Sequence, residues 1–413
     1  MIDDGLFASH EPSGLRAEAA ARTGSAPPCP ALPLAVLDAG SGCGVLGICA
    51  AGALTDAEVR AEDRDELARL FTEYNARRNG LDSKLKARTE ALLAFPPGAS
   101  WDLILSNVPA KAGLPVLKDF IFRSALTLRP GGLALAVAVN PLADFFRNSI
   151  RDADHELFHE ETESDHTVFA WKRKQGKAET AESAARIEAV YSRGSGDYEL
   201  EGIGYHIDAV EGAAGFDRPG AAVSVAAKLV SKLAPPSFAP LFRRAGQGIL
   251  IHEGDQGHFP VWFSKYAAEF LLNEGANGKA PRFVLSGRNI LALQAARHNL
   301  ENSLPGVKAE LVPGVDIELS RETLACKAGK ESAEGKQQYY SIAVLFPDLV
   351  PETDRIAAYW KALESLLGDG GIALIALPAV HADRFDRKKT AGFRRLGDLK
   401  REGFRALAFK RAL

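Results

Sequence analysis

The chain has 413 residues, enough for two or three domains with sizeable cores. Fifty Lys and Arg against fifty-three Asp and Glu leave a formal charge of −3, which excludes a global electrostatic field drawing the chain to nucleic acid. No run of about 18 apolar residues predicts a membrane span, and the acidic start Met1-Ile2-Asp3-Asp4-Gly5 lacks the basic and apolar parts of a signal peptide. The four cysteines (Cys29, Cys43, Cys49, Cys326) have no metal or paired spacing and read as reduced thiols of a cytoplasmic protein without a metal.

In chain order, a helix is expected from Ser13 to Thr23, then a proline-rich turn at Ala26-Pro27-Pro28-Cys29-Pro30. Pro33 to Leu37 is a short apolar run, as a buried parallel strand should be. It leads through Asp38 into Gly40-Ser41-Gly42-Cys43-Gly44 and a helix from Val45 to Ala51, whose free N–H groups point back at the turn. Glycines at alternate positions allow a tight turn and a close approach to a ligand. Gly42-x-Gly44-x-x-Gly47 also fits a dinucleotide fingerprint. Asp38 favours a different ligand: a carboxylate at the strand end repels a pyrophosphate and attracts the ammonium or sulfonium of S-adenosylmethionine. A second strand, Val59-Arg60-Ala61-Glu62-Asp63, ends in Asp63, about 20 residues beyond the turn, where such folds hold ribose hydroxyls.

A helix over Arg64 to Arg78 stops at Asn79-Gly80. Trp101 to Asn107 reads as a strand running into the loop Val108-Pro109-Ala110. Leu126 to Gly132 reads as a helix end and turn before the apolar strand Leu133 to Val139, followed by two strands ending at Arg173. The alternation of strands and helices predicts an α/β fold with a doubly wound, mainly parallel sheet and an antiparallel C-terminal hairpin. Residues 176–190 are polar and alanine-rich and read as a linker.

The second half repeats the first in order. Gly254-Asp255-Gln256-Gly257 matches Gly40-Ser41-Gly42-Cys43, Gly287-Arg288-Asn289 matches Asp63-Arg64-Asp65, Asn299 matches Asn75, and Tyr340 to Pro347 matches Trp101 to Val108. Lys327 to Gln338 reads as a loop insertion. In this alignment Asp38 becomes His252, Gly42 becomes Gln256, Gly44 becomes His258, Asp63 becomes Gly287 and Asn107 becomes Phe346. Two tandem Rossmann-like domains follow: 1–175, binding the cofactor and catalysing, and 191–413, a degenerate copy that does not bind the same cofactor in the same way.

Asn107 ends a central strand beside the switch point of the sheet. Its side-chain oxygen and the carbonyls of Val108-Pro109 can accept both hydrogens of an exocyclic amine and aim its lone pair at a methyl group. A simple turn start before Pro109 is the structural alternative. His155-Glu156-Leu157-Phe158-His159 matches a zinc-protease pattern, but it aligns with a strand-like hairpin in the second copy and is set aside.

The first repeat resembles class I S-adenosylmethionine-dependent methyltransferases. More narrowly, it resembles the tandem-domain ribosomal RNA guanine-N2 enzymes of the methyltransferase small domain group. The likeness rests on Leu6, Phe7 and Ser9, on Leu37-Asp38-x-Gly40-x-Gly42-x-Gly44-Val45-Leu46, on Asp63, and on Asp102 to Asn107. It implies cofactor contacts from Asp38, Gly40, Gly42, Asp63 and Glu90, with Asn107 at the target amine; Gly44 in the glycine turn and Pro109 beside Asn107 complete the candidate cofactor-binding and catalytic residues. Two departures stand out. An aromatic that would stack on a flipped base is replaced by Ala110, followed by Lys111, a candidate phosphate contact. The family's order of degenerate and catalytic copies is also reversed.

Eleven Lys and Arg between Arg384 and Arg411, with Phe393, Phe404 and Phe409 among them, read either as an RNA-facing strip or as the solvated face of edge strands. The expected partner is ribosomal RNA or the small ribosomal subunit. The expected assembly is a pseudo-dimeric monomer or a homo-oligomer. Two other readings stay open: a methyltransferase of a small-molecule or protein acceptor, and a non-catalytic RNA-binding assembly factor that keeps the pocket.

Overall fold

The computed structural model describes residues 33–92, 101–173, 190–233, 237–242, 248–271, 282–304, 306–328, 340–349 and 354–412. The N-terminal helix and proline turn, the Leu6, Phe7 and Ser9 positions, most of the linker and most of the 327–338 insertion fall outside them. Lys327 itself closes a helix, Arg321–Ala328.

Strand β1 (Leu34–Ala39) lies at the centre of a seven-stranded sheet because Val36 to Ala39 is buried on both faces. It pairs in parallel with β2 (Ala57–Asp63) on one side and β4 (Trp101–Asn107) on the other. With β3 (Leu85–Thr89), β5 (Leu128–Val139), β6 (His155–Thr162) and β7 (His166–Arg173), the order is β3-β2-β1-β4-β5-β7-β6. Strand β7 is antiparallel to both neighbours, so the sheet ends in a hairpin. Strand β5 starts at Leu128, earlier than the expected Leu133. The Pro130-Gly131-Gly132 stretch continues it through a register shift, and a Cβ at Gly132 would lie 2.9 Å from the Trp101 carbonyl.

Chain reversal at β1 and β4 opens a crevice at their carboxyl ends. The helix Val45–Ala53 follows β1, and Glu66–Arg78 follows β2. Asp65 caps the second, its carboxylate accepting the Leu67 N–H at 2.8 Å.

Next come a hairpin, β8 (Ser192–Leu200) with β9 (Ile203–Val210), and the helix Ala221–Leu233. A second sheet follows: β10 (Gly248–His252), β11 (Arg282–Gly287), β12 (Ala309–Pro313), β13 (Tyr340–Leu345), β14 (Leu367–Pro378), β15 (Phe393–Arg401) and β16 (Phe404–Arg411). Its order, β12-β11-β10-β13-β14-β16-β15, reproduces the first sheet strand for strand. The chain is therefore a tandem duplication of one α/β unit, as the repeat predicts.

The register corrects the repeat at the glycine turn by one residue. Asp38 lies opposite Leu105, and Ile251 opposite the equivalent Val344, so Asp38 matches Ile251 and not His252. The left-handed positions Gly40, Gly42 and Gly44 correspond to Glu253, Asp255 and Gly257, with φ of 58°, 50° and 113°. Gly42 thus matches Asp255 rather than Gln256, and Gly44 matches Gly257 rather than His258. Aligning glycine on glycine misses this, because Gly254 is not one of the left-handed residues. A one-residue slip turns every side chain to the other face.

The two units meet at matched loops. The Glu66 N–H donates to the Arg288 carbonyl and the Ile290 N–H to the Arg64 carbonyl, both at 2.9 Å. Leu291 completes an apolar cluster of the first unit with Leu37, Ala39 and Val108.

Candidate active site

The glycine turn is tied down from below and, among the described residues, open above. The Gly40 and Ser41 N–H groups donate to the Glu62 carbonyl at 2.8 and 2.9 Å. From the helix Glu66–Arg78, Thr72 Oγ1 donates to the Gly42 carbonyl at 3.0 Å and Asn75 Nδ2 to the Cys43 carbonyl at 2.9 Å. Thr72 lay outside the sequence reading, though it shares a helical face with Asn75, the residue the repeat does match. Gly44 is left-handed, and a Cβ there would meet Thr72 at 2.8 Å. At Gly42, with φ of 55°, a Cβ would meet nothing within 4 Å among the described residues. Gly44 therefore serves packing, while Gly42 borders free space.

Three acids gather at the carboxyl ends of β1, β2 and β3. Asp38 is 1 % exposed. Its Oδ2 accepts the Gly47 N–H at 2.8 Å, while Oδ1 is buried without a hydrogen-bond partner among the described residues. Burial, with a smaller push from Asp63 and a counter-pull from Gly47, raises its pKa to about 6. Asp63 accepts the Gly42 N–H on Oδ2 and the Asp65 N–H on Oδ1, each at 2.9 Å. The Glu90 N–H donates to the Asp63 carbonyl at 2.8 Å, which sets Glu90 beside Asp63. Glu62, which the sequence reading did not single out, is buried on the opposite face from Asp63 and paired with Arg60. Burial drives its carboxyl up to about 7, against the pull of Arg60.

Asn107 ends β4, two residues past the position opposite Asp38, and is exposed. No hydrogen bond holds its carboxamide among the described residues. Ser106, facing the other way, donates from Oγ to the Ala39 carbonyl at 2.7 Å and locks β4 to β1. Pro109 precedes a 3-10 turn, Ala110–Ala112, and its carbonyl accepts the Ala112 N–H at 2.9 Å. One lone pair of that expected acceptor is thus already engaged. Lys111 is exposed on the turn.

In the second unit the equivalent turn is covered by its own chain. The Glu253 carboxylate fills the space over Gly287, where a Cβ would lie 3.3 Å from it, and accepts the Arg288 N–H at 2.7 Å. Residues 211–220 lie across the turn. The Ala214 carbonyl accepts from Gln256 Nε2 and the Gly215 carbonyl from His258 Nε2, both at 2.7 Å. Tyr205 then donates its hydroxyl to His258 Nδ1 at 3.1 Å. Glu253 and Asp255 each hold a left-handed backbone costing about 1–2 kcal/mol. Such strain persists where surrounding contacts outweigh it.

The remaining candidates resolve simply. His155 and His159 lie on β6. His155 is buried with Nε2 2.9 Å from the Ile121 carbonyl, and His159 is half-buried. Phe393 and Phe409 are buried and Phe404 packs against the core, so they are not stacking platforms. Arg384 and Lys388 pair with Asp354, Arg395 with Asp386, Arg401 with Glu402, and Arg405 with Asp383 and Asp398. Much of the basic strip is therefore neutralised locally. No helix among the described residues is long and apolar enough to cross a membrane.

The methyltransferase small domain family matches residues 30–149, which span the turn, the three acids and Asn107. No curated protein matches the chain by sequence. Among solved structures, the 16S rRNA N2 G1207 methyltransferase of T. thermophilus, in complex with AdoMet and guanosine, is 15 % identical. The match covers 94 % of this chain and 90 % of that one, with a TM-score of 0.56, and it extends the shared fold over both units. A ribosomal protein L11 methylase from Lactobacillus delbrueckii subsp. bulgaricus is 24 % identical over 35 % of this chain and 71 % of that one, with a TM-score of 0.32.

Proposed function

We propose, from the premise that residues 30–149 are a methyltransferase small domain of the class I S-adenosylmethionine-dependent kind, that the first unit transfers a methyl group to an exocyclic amine, that of a guanine in small-subunit ribosomal RNA. The observation that carries this reading is the contrast between the turns: among the described residues, free space over Gly42 with an unpartnered Asp38 Oδ1 beneath, against a covered turn in the second unit. These residues fit the cofactor. Asp38 Oδ1 offers an acceptor to an ammonium, the remaining lone pairs of Asp63 suit ribose hydroxyls, and Glu90 lies next along the sheet edge for the adenine. Bound there, S-adenosylmethionine supplies a methyl group on a positively charged sulfur, open to in-line displacement.

Asn107 then acts on the acceptor. Its Oδ1 and a backbone carbonyl of the Val108-Pro109 turn accept the amine hydrogens, which points the nitrogen lone pair toward the methyl group. Lys111, exposed on the next turn, is suited to a phosphate of the same strand. Support for a guanine acceptor comes from the fold shared with the T. thermophilus enzyme and its guanosine complex. A ribosomal acceptor would set the reaction in the cytoplasm. In this reading residues 1–175 form the catalytic domain, 176–190 the linker and 191–413 a bracing domain within a monomer. Ala110, which cannot stack on a base, favours a second reading: a small-molecule or protein amine as acceptor with the same cofactor.

Labelled methyl transfer into fractions of a lysate lacking this protein tests both. Label in small-subunit RNA supports the first reading, and label in metabolites or protein alone supports the second. Asn107→Ala should cut transfer by about 100-fold or more while leaving affinity for S-adenosylhomocysteine within about two-fold. Unchanged transfer would remove Asn107 from the chemistry. No label in any fraction, with cofactor still bound, would favour a non-catalytic binding role.

A further inference from the structure

The joint between the units reaches the cofactor edge through one side chain. Arg288, on the loop after β11, donates from Nη2 to Asp65 Oδ2 at 2.7 Å and from Nε to Asp65 Oδ1 at 3.2 Å, with Asp348 3.5 Å away. Its carbonyl also accepts the Glu66 N–H at 2.9 Å. Both atoms of a guanidinium fork therefore hold one carboxylate, and the backbone beside that carboxylate is held as well. Asp65 is not a bystander. Its N–H donates to Asp63 Oδ1, and Asp63 Oδ2 accepts the Gly42 N–H. A line of contacts thus runs from the second unit through Asp65 and Asp63 to the open side of the glycine turn. The matched Arg64 lies against Gly212, where a Cβ would collide with its guanidinium, and among the described residues it makes no equivalent clamp on the second turn.

We propose that Arg288 is a positioning residue for the cofactor pocket of the other unit, fixing through Asp65 the orientation of the Asp63 carboxylate that meets the ribose. The degenerate unit then serves the site directly, by completing its support. This inference rests on the cofactor reading of the first unit. Without the guanidinium, the Asp65 carboxylate keeps, among the described residues, only its cap bond to the Leu67 N–H, and its neighbour Glu66 keeps the backbone bond to residue 288. The Asp63 carboxylate is then held less firmly, so the cofactor must order it on binding.

The test is calorimetric titration of the full chain with S-adenosylhomocysteine, with thermal melts of each variant. Arg288→Ala should weaken binding by about ten-fold, and Arg288→Lys, which keeps one charged contact, by less. In an Asp63→Ala background, Arg288→Ala should change affinity by less than about two-fold, because the group it acts through is gone. A general loosening of the fold would instead weaken binding again in that background. Equal affinity of wild type and Arg288→Ala overturns the proposal and leaves the cofactor reading standing. Should Arg288→Ala fail to fold, Arg288→Lys with wild-type affinity overturns it in the same way. A wild-type chain that binds no S-adenosylhomocysteine overturns both.

Discussion

Asp38 is costly to the fold, and the proposed function makes it necessary to the site. Its carboxyl is buried, and its pKa is raised from 3.8 to about 6. A raised carboxyl pKa means the folded chain holds its proton more tightly than the unfolded chain does. The contribution of Asp38 to stability is therefore fully present below about pH 3.8 and is lost as pH rises through about 6. Asp38→Asn keeps an oxygen for the Gly47 N–H and carries no buried charge. At pH 7.5 it should raise stability by on the order of 2 kcal/mol, and at pH 4 by almost nothing, as denaturant melts at the two pH values would record. The same variant should lose most of its affinity for S-adenosylhomocysteine, because the ammonium loses its counter-charge. Wild-type affinity should fall as pH drops below about 6, up to about ten-fold per unit, and this dependence should flatten in the variant. A variant neither more stable nor weaker in binding would contradict the assignment of Oδ1 as the ammonium acceptor.

The turn between β1 and the helix Val45–Ala53 separates two uses of glycine. Gly42 and Gly44 are both left-handed, so Ala at either site costs about 1–2 kcal/mol. Only at Gly44 would the new Cβ also press on Thr72, at 2.8 Å. Gly42→Ala should therefore melt within a few degrees of wild type but no longer bind S-adenosylhomocysteine, since its methyl group enters the ligand space. Gly44→Ala should lose stability and binding together, by driving the turn off the helix Glu66–Arg78. Differential scanning calorimetry and a binding titration on the same two samples separate these outcomes. If both variants lost binding only in proportion to stability, the space over Gly42 would not be a ligand site.

At the scale of the whole molecule, duplication has left two sheets of the same topology with differently filled turns. Segment 211–220 covers the second turn with backbone carbonyls that Gln256 and His258 bind directly. Titration should accordingly give one equivalent of S-adenosylhomocysteine per chain, and Asp38→Asn should remove it. A second equivalent surviving that substitution would show the covering segment to be displaceable. The architecture was legible in the residues because strand alternation, the glycine turn and the order of the repeat are local patterns that a chain must carry to fold this way. The positions of Asp38, Gly42, Asp63 and Asn107 at or just beyond strand ends were legible for the same reason, since each strand is defined by its own segment. The one-residue error in the repeat arose where the pattern changes chemistry: Glu253 and Asp255 take left-handed backbone that sequence assigns to glycine. The sequence left the basic run near the C-terminus open between an RNA-facing strip and a solvated face, because the partners Asp354, Asp383, Asp386 and Asp398 are fixed only by the fold. What the sequence determined by itself was the fold, its duplication and the placing of Asp38 and Asp63 at strand ends, because those follow from contacts within a few residues or one strand pair. Only the tertiary structure decided that the second turn is covered and that Arg288 clamps Asp65. Both depend on segments far apart in the chain whose meeting no local pattern encodes.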